Sequence, residues 1–170
     1  MKKDLAIGYD SFLDLIGNHC YYVDKTRFVK VVMHDKSKVL LITRPRRFGK
    51  TLFMDTLNNF LRIGIDGSSD ITERRRLFEG LEILKDAEFC KTYMCQCPTI
   101  FLSLKSAEGS TFQEAYQAFA RILVGIARSF GFLSDSKNLS SEELLVFNRY
   151  RNLDYMQNPK HQDSVKAFLK

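Results

Sequence analysis

The chain of 170 residues lacks any apolar run long enough to cross a bilayer. Its longest apolar stretches, Val39–Ile42 and Ile122–Ala127, fall far below the ~18 residues that a membrane helix needs. The charged N-terminus is followed by neither an apolar signal core nor a small-residue cleavage site. We therefore expect a cytoplasmic protein with no membrane partner.

Cysteine is scarce, and its spacing does not match a known metal site. Three of the four cysteines lie in "CKTYMCQC", the segment 90–97, with a C-x4-C-x-C spacing and no nearby histidine. Zinc knuckles and ribbons use other spacings. Reduced thiols in a cytosolic protein are the favoured interpretation, and a metal site is the alternative.

The composition is that of a soluble globular protein, with 45% hydrophobic and 27% charged residues. The length allows one ordinary domain, and the sequence contains no internal repeat. The net charge of +6 suggests an anionic partner. The basic residues cluster at Arg44–Lys50 and at Arg74–Arg76, and the second cluster could equally be the solvated face of a short helix.

The pattern of apolar residues predicts an α/β domain with a parallel sheet. Two buried strands are predicted, over 38–43 and 98–104, because both are short apolar runs bounded by turn signals or proline. They are separated by far more than a hairpin, which favours parallel pairing. Helices are predicted over 11–17, from Asp24 as N-cap through Val32, and over 49–62, 73–80, 85–93, 111–130, 140–152 and the last ten residues.

The segment "LITRPRRFGKTLF", residues 41–53, has the features of a phosphate-binding loop. Gly49 lets the backbone approach an oxyanion, Lys50 supplies a cation, and Thr51 supplies a hydroxyl at the first helical turn. A predicted strand precedes the loop and a predicted helix follows it. The first position of the usual template holds Arg44 instead of glycine, so a basic turn with solvent-facing arginines is the alternative.

The segment "YYVDKTRFVKVVMHDKSKVLLITRPRRFGKTLFMDTLNNFL" resembles the AAA-ATPase-like family of bacterial proteins, whose members carry "YYVDKT" followed by "RPRRFGK[ST]". Residues 77–83 and 98–105 also look like that family's later motifs. The similarity runs from about Ile7 to the end of the chain. Arginine at the first loop position is usual in this family, so Arg44 does not indicate a degenerate phosphate-binding loop.

The resemblance implies a P-loop NTPase-like three-layer α/β/α domain that binds ATP and Mg²⁺. It implies that Lys50 contacts the β and γ phosphates and that Thr51 coordinates Mg²⁺ through its hydroxyl. It also implies that the backbone from Arg46 to Thr51, through Arg47 and Phe48, surrounds the phosphates. By the same resemblance, the adenine-side candidates are Tyr22, Val23 and Asp24. For the tyrosine, ordinary core packing is the alternative.

No apolar run of the chain ends in an aspartate or glutamate, which ATP hydrolysis would require to hold the Mg²⁺ shell. No catalytic residue is therefore assigned. In the family, an "IDEYD"-like motif and often a nuclease-like C-terminal domain follow later. We accordingly expect residues 1–170 to be the N-terminal part of a P-loop domain with an incomplete sheet, from a longer, truncated or naturally short protein.

The sequence is also compatible with two other functions. The chain could be a basic nucleic-acid-binding module without nucleotide chemistry, with the arginine clusters contacting a phosphate backbone. It could also be a structural remnant whose loop binds only stray anions. ATP binding is the leading hypothesis because the loop, its flanking segments and the family resemblance all favour it.

Overall fold

The computed structural model describes residues 4–64, 71–161, 163, 167 and 168. The described residues up to Thr99 form one compact unit, and those from Ile100 onward form a second. No helix of the described residues is long and apolar enough to cross a membrane.

The first unit contains five α-helices and one 3₁₀ helix among its described residues. They are α1 Phe12–Gly17, α2 Arg27–His34, α3 Lys50–Leu61, α4 Thr72–Leu77, the 3₁₀ helix Glu82–Lys85 and α5 Ala87–Tyr93. The predictions of the five α-helices are confirmed, with ends shifted by a few residues, whereas the 3₁₀ helix was not predicted. The prediction that Asp24 caps α2 is wrong, because the N-cap is Thr26.

An aromatic core holds the first unit together. Phe12 of α1, Phe60 of α3 and Phe78 after α4 are fully buried, with ring centroids 4.9 Å apart for Phe12–Phe78 and 5.5 Å for Phe60–Phe78. The Phe12 amide also donates a hydrogen bond to the Asp55 carboxylate at 2.7 Å. These contacts join α1 to α3 and fix the direction in which α3 leaves the preceding loop.

The second unit packs around the long helix α6 Phe112–Ser129, with α7 Ser141–Tyr150 and α8 Leu153–Gln157. Two 3₁₀ helices, Gly131–Asp135 and Pro159–His161, connect or follow them. The Tyr116 hydroxyl donates to the Met156 carbonyl at 2.8 Å across this core. Helices α6 and α7 confirm the predictions over 111–130 and 140–152, whereas the helix predicted for the last ten residues lies largely outside the described residues.

The predicted α/β fold is wrong, because the described residues form helices and no sheet. Within them, β pairing is limited to two isolated parallel bridges, Leu5 with Tyr21 and Arg62 with Cys97. The predicted strands 38–43 and 98–104 have no ladder, and Val39 and Leu41 are 84% and 81% exposed. A strand needs a neighbouring strand that pairs with its backbone N–H and C=O groups. No described segment pairs in this way with either of the two apolar runs. The incomplete three-layer α/β/α domain is therefore not what this chain adopts.

Candidate functional site

The loop between residue 43 and α3 contains two residues with left-handed backbone conformation. Gly49 is the N-cap of α3 and has φ 71°, and Arg47 has φ 66°. Glycine adopts this conformation freely, whereas a residue with a Cβ pays about 1–2 kcal/mol. Strained backbone of this kind concentrates at ligand-binding loops. The loop geometry is therefore typical of a site where the backbone must curl around a ligand.

The Lys50 side chain folds back over the loop that precedes it. Its Nζ donates hydrogen bonds to the Arg44 carbonyl and, at 3.0 Å, to the Pro45 carbonyl. These bonds join the first residues of the loop to the first turn of α3. The ammonium group is thus held on the concave side of its own loop by neutral acceptors.

A cavity of about 1040 Å³ lies against this loop. Four basic residues line it, together with the acid Asp10 and the aromatic Tyr9, Tyr21 and Tyr22. The basic residues are Lys25, Arg46, Arg47 and Lys50. A large, open cavity with four basic lining residues and one acid suits a ligand that carries several negative charges.

The structure brings most of the sequence-predicted site residues to this one cavity. All six predicted phosphate-side residues line it, and so do two of the three adenine-side candidates, Tyr22 and Val23. The phosphate-side residues are Arg46, Arg47, Phe48, Gly49, Lys50 and Thr51. The loop residues 46–51 lie 23 or more residues from Tyr22 and Val23 in the sequence, so the fold, rather than chain proximity, makes them neighbours.

Tyr22 faces both the cavity and the core. Its ring lies edge-on to Phe12 with centroids 5.4 Å apart, and its hydroxyl is 3.5 Å from the Thr56 hydroxyl of α3. Partial burial raises the pKa of Tyr22 above its ordinary value, and the hydrogen bond to Thr56 offsets part of this rise. Tyr22 therefore packs in the core while one part of it lines the cavity, whereas Val23 is 60% exposed.

Asp24 lies away from the cavity lining and braces the backbone instead. One carboxylate oxygen accepts from the Thr26 amide at 2.8 Å and from its hydroxyl at 2.7 Å, and the other accepts from the Glu82 amide at 2.7 Å. Partial burial by itself would raise the pKa of Asp24, but these hydrogen bonds outweigh it and lower the pKa below its ordinary value. Asp24 thus joins the start of α2 to the 3₁₀ helix Glu82–Lys85.

Sequence reasoning missed two charged residues that line the cavity, Lys25 and Asp10. The Lys25 ammonium lies 3.5 Å from the Phe48 carbonyl, to which it donates. Lys25 belongs to the "YYVDKT" segment that carries part of the family resemblance, so that segment contained the signal. Asp10 precedes α1 in a segment without a recognisable motif, and its sequence context offered no such signal.

A second, smaller cavity of about 320 Å³ shares its wall with the first. Five residues line both cavities, namely Lys25, Phe48, Gly49, Lys50 and Phe53. The rest of its lining is largely apolar and includes Phe28, whose ring centroid lies 5.9 Å from the guanidinium carbon of Arg44. Arg44 is therefore occupied with an aromatic ring and lines this apolar cavity rather than the basic one.

The family of the chain follows from a comparison with family profiles. The profile described as "AAA-ATPase_like: Predicted AAA-ATPase" matches residues 6–163. The chain belongs to this AAA-ATPase-like family. The match includes the loop, both cavities and the helices of the second unit, so the resemblance based on "YYVDKT" and "RPRRFGKT" is confirmed.

One curated relative is an "Uncharacterized protein in vnfD 5'region" from Azotobacter chroococcum mcd 1. It is 46% identical to the AAA-ATPase-like chain over 57 residues, which are 33% of this chain and 11% of the relative. The match therefore spans a small part of that relative's length. No solved structure matches the chain.

The cysteines and the second arginine cluster, which the sequence also offered as candidates for ligand contact, do not line the two cavities. Within the described residues, no group of three or more His, Cys, Asp or Glu side chains could hold a metal ion. Cys90 is buried and donates to the Ile83 carbonyl at 3.3 Å, and burial raises its pKa. In the second arginine cluster, Arg74 donates to the carbonyl and side-chain oxygens of Asn59 at 3.3 and 3.2 Å. Arg75 and Arg76 are exposed.

Proposed function

We propose that this chain binds ATP, accompanied by Mg²⁺, in the basic cavity beside the loop 44–51. The observation that carries the proposal is the shared cavity: the loop backbone, Lys50 and Thr51 all line the same space as Tyr22 and Val23. A phosphate chain needs backbone N–H groups, a cation and a helix start in one place. An adenine ring needs an adjoining surface with aromatic and apolar groups.

The electrostatics of the cavity favour a polyanion. The N-terminus of α3 carries a partial positive charge because its first N–H groups have no partners within the helix. The ion pairs of Arg27 and Lys85 with Glu82, and of Lys30 with Asp86, involve no cation that lines the basic cavity. The cavity cations are thus available to phosphate oxygens.

Lys50 supports the proposal through the nature of its present partners. A backbone carbonyl is a neutral acceptor, and a hydrogen bond from an ammonium to an anionic phosphate is stronger. The lysine has three donors, and two carbonyls engage it. Lys50 can therefore turn one or more donors toward a phosphate without a large change in the loop.

The residues at the start of α3 fit Mg²⁺ that arrives with the nucleotide. Thr51 lines the cavity and is exposed, so its hydroxyl is accessible. Mg²⁺ typically keeps several waters and takes only one or two protein ligands besides the phosphates. One hydroxyl is therefore an adequate protein contribution, and bound Mg²⁺ would supply neutralisation of phosphate charge.

The proposal is tested by titrating the 170-residue chain with ATP in the presence of Mg²⁺. We expect Lys50→Ala to weaken ATP binding by about 100-fold, or about 2.7 kcal/mol, since the charge-assisted contact of this lysine with the phosphates is lost. The matched control is Lys36→Ala, which removes an exposed lysine that lines neither cavity. Circular dichroism should show both variants folded.

Equal ATP affinity of the unchanged chain and Lys50→Ala would contradict the proposal, as would the absence of any ATP binding by the unchanged chain. Hydrolysis is measured separately as phosphate release. Because neither of the apolar runs 38–43 and 98–104 ends in an acid, we expect release to stay at the level of the Lys50→Ala variant.

A further inference from the structure

Lys25 lies outside the loop but reaches it from the neighbouring segment. Its Nζ is 3.5 Å from the Phe48 carbonyl and 3.7 Å from the position that a Cβ would take on Gly49. Lys25 lines the basic cavity and the smaller apolar cavity, as Lys50 does. Two lysines from segments 25 residues apart in the sequence therefore meet at one loop.

The backbone on both sides of Lys25 is anchored, which directs its side chain to the loop. On one side, Asp24 accepts from the Glu82 amide at 2.7 Å. On the other side, fully buried Thr26 accepts from the Ile83 amide at 3.1 Å through its hydroxyl. A long flexible side chain on a fixed backbone loses less entropy when it binds a ligand. This bracing is typical of a residue that must project to a defined place.

The charge of Lys25 is not neutralised within the described part of the chain. Nearby lysines are paired with acids: Lys30 with Asp86 at 2.5 Å, and Lys85 with Glu82. Lys25 has no carboxylate within ion-pair distance among the described residues, and its hydrogen bond to the Phe48 carbonyl is long. An ammonium with a weak neutral partner, beside a basic cavity, is suited to an anionic ligand.

We propose that Lys25 is a second phosphate-binding lysine, which contacts phosphate oxygens of the nucleotide beside the start of α3. This inference rests on the proposed function. Lys25 exchanges its long bond to the Phe48 carbonyl for a charge-assisted bond to a phosphate oxygen. Because Lys50 and Lys25 line the same cavity, the phosphate chain contacts two cations.

The test compares Lys25→Gln with Lys25→Arg in titrations with MgATP. Glutamine keeps a hydrogen-bond donor for the Phe48 carbonyl but removes the charge, whereas arginine keeps both. We expect Lys25→Gln to weaken ATP binding about tenfold and Lys25→Arg to stay within about twofold of the unchanged chain. The control is Lys36→Gln, which should leave ATP affinity unchanged.

Two results would overturn the inference while the proposed function stands. One is ATP affinity of Lys25→Gln equal to that of Lys36→Gln, with Lys50→Ala still defective. The other is an equal loss in Lys25→Gln and Lys25→Arg, which would indicate a steric requirement rather than a charge contact. If the unchanged chain itself binds no ATP, it is the proposed function that fails.

A second measurement needs no variant and so does not depend on variant folding. Lysines of the unchanged chain are acetylated with and without MgATP, and the modified peptides are quantified by mass spectrometry. We expect ATP to slow acetylation of Lys25 and Lys50 by at least about fivefold and to leave Lys36 unaffected, because a bound phosphate blocks the amine. Protection of Lys50 without protection of Lys25 would contradict the inference.

Discussion

The two apolar segments on either side of the loop have opposite outcomes in the structure. The segment 38–43 forms no helix or strand, and most of its apolar side chains face solvent. Helix α3, which follows the loop, buries Phe53, Phe60 and Leu61 in the core of the first unit. Similar apolar content therefore leads to burial on one side of the loop and exposure on the other.

The reason lies in where each segment obtains its backbone hydrogen bonds. A helix pairs its N–H and C=O groups within itself, so an apolar stripe needs only a surface to pack on. A strand must find those partners on a neighbouring segment before it can be buried. Helix α3 finds α1 and the aromatic core, whereas no described segment pairs with 38–43.

For the candidate site, this difference means that the two ends of the loop are held differently. Packing of α3 fixes Gly49 and Lys50. The other end is held by the hydrogen bonds that Lys50 donates to Arg44 and Pro45, and by the partly buried Ile42. The geometry of the phosphate-side residues therefore depends mainly on α3.

The largest expected effect comes from removing the fully buried aromatic side chain of Phe60, near the end of α3. We expect Phe60→Ala to lower the free energy of unfolding by about 3–5 kcal/mol, because Phe60 is fully buried and the cavity left behind cannot close completely. The matched change Leu41→Ala in the exposed segment should stay within about 0.5 kcal/mol of the unchanged chain. Urea unfolding followed by circular dichroism measures both.

Comparable losses in Phe60→Ala and Leu41→Ala would show that the exposed segment is packed in solution and would break the comparison. A large loss in Leu41→Ala alone would do so even more directly. The expected order requires only that the two side chains differ in burial as the structure describes.

An intermediate effect is expected at the junction of loop and helix. Gly49→Ala should lower the free energy of unfolding by about 1 kcal/mol, because φ is 71° and the added Cβ disfavours this conformation. Space is not the cause, since the nearest atom to that Cβ is Lys25 Nζ at 3.7 Å. Chemical denaturation measures the change.

The control for this prediction is Gly125→Ala, within α6 of the second unit. No atom lies within 4 Å of an added Cβ there, and Gly125 has ordinary helical backbone. Alanine should raise the free energy of unfolding by about 0.5–1 kcal/mol. A stabilising effect of Gly49→Ala would refute the left-handed geometry assigned to the loop.

The smallest effect concerns the pH dependence of the α1–α3 contact. Partial burial raises the pKa of Asp55 above its ordinary value, although the Phe12 amide and the charge of Arg62 oppose the rise. A raised pKa in the folded state stabilises the fold below the unfolded-state pKa. That contribution is lost as the pH rises through the folded-state pKa.

Asp55→Asn removes this titration and keeps an oxygen that can accept from the Phe12 amide. The stability of the variant relative to the unchanged chain should therefore increase from about pH 3 to about pH 7, by a few tenths of a kcal/mol. Urea unfolding at the two pH values measures the difference. A relative stability that falls over this range would contradict the assigned direction of the pKa.

Much of the helical structure could be predicted from the sequence, because helical periodicity and caps are local properties. The helices predicted over 111–130 and 140–152 are examples that the structure confirms, and the second begins with a capping box of Ser140 and Glu143. The prediction of two strands was wrong because strand formation depends on a distant segment rather than on local properties. An apolar run such as 38–43 indicates a strand only if another segment lies beside it, and local sequence does not contain that information.

The candidate site was predictable to a similar extent. Residues Arg46–Thr51 are contiguous, so a motif could identify them, and the family resemblance added the segment around Tyr22. Asp24 holds the backbone through its hydrogen bond with the Glu82 amide, which lies 58 residues away. The position of the Lys25 side chain at the loop depends on this hydrogen bond. Long-range contacts of this kind leave no local pattern.

The sequence by itself determined the family of this chain, the positions of its main helices and the position of its basic loop, because these depend on short-range patterns of residues. Only the tertiary structure decided that segments 38–43 and 98–104 remain without strand partners and that Lys25 faces the loop beside Lys50. Strand pairing and side-chain convergence both depend on which distant segments become neighbours. That outcome is set by packing of the whole unit rather than by any one segment.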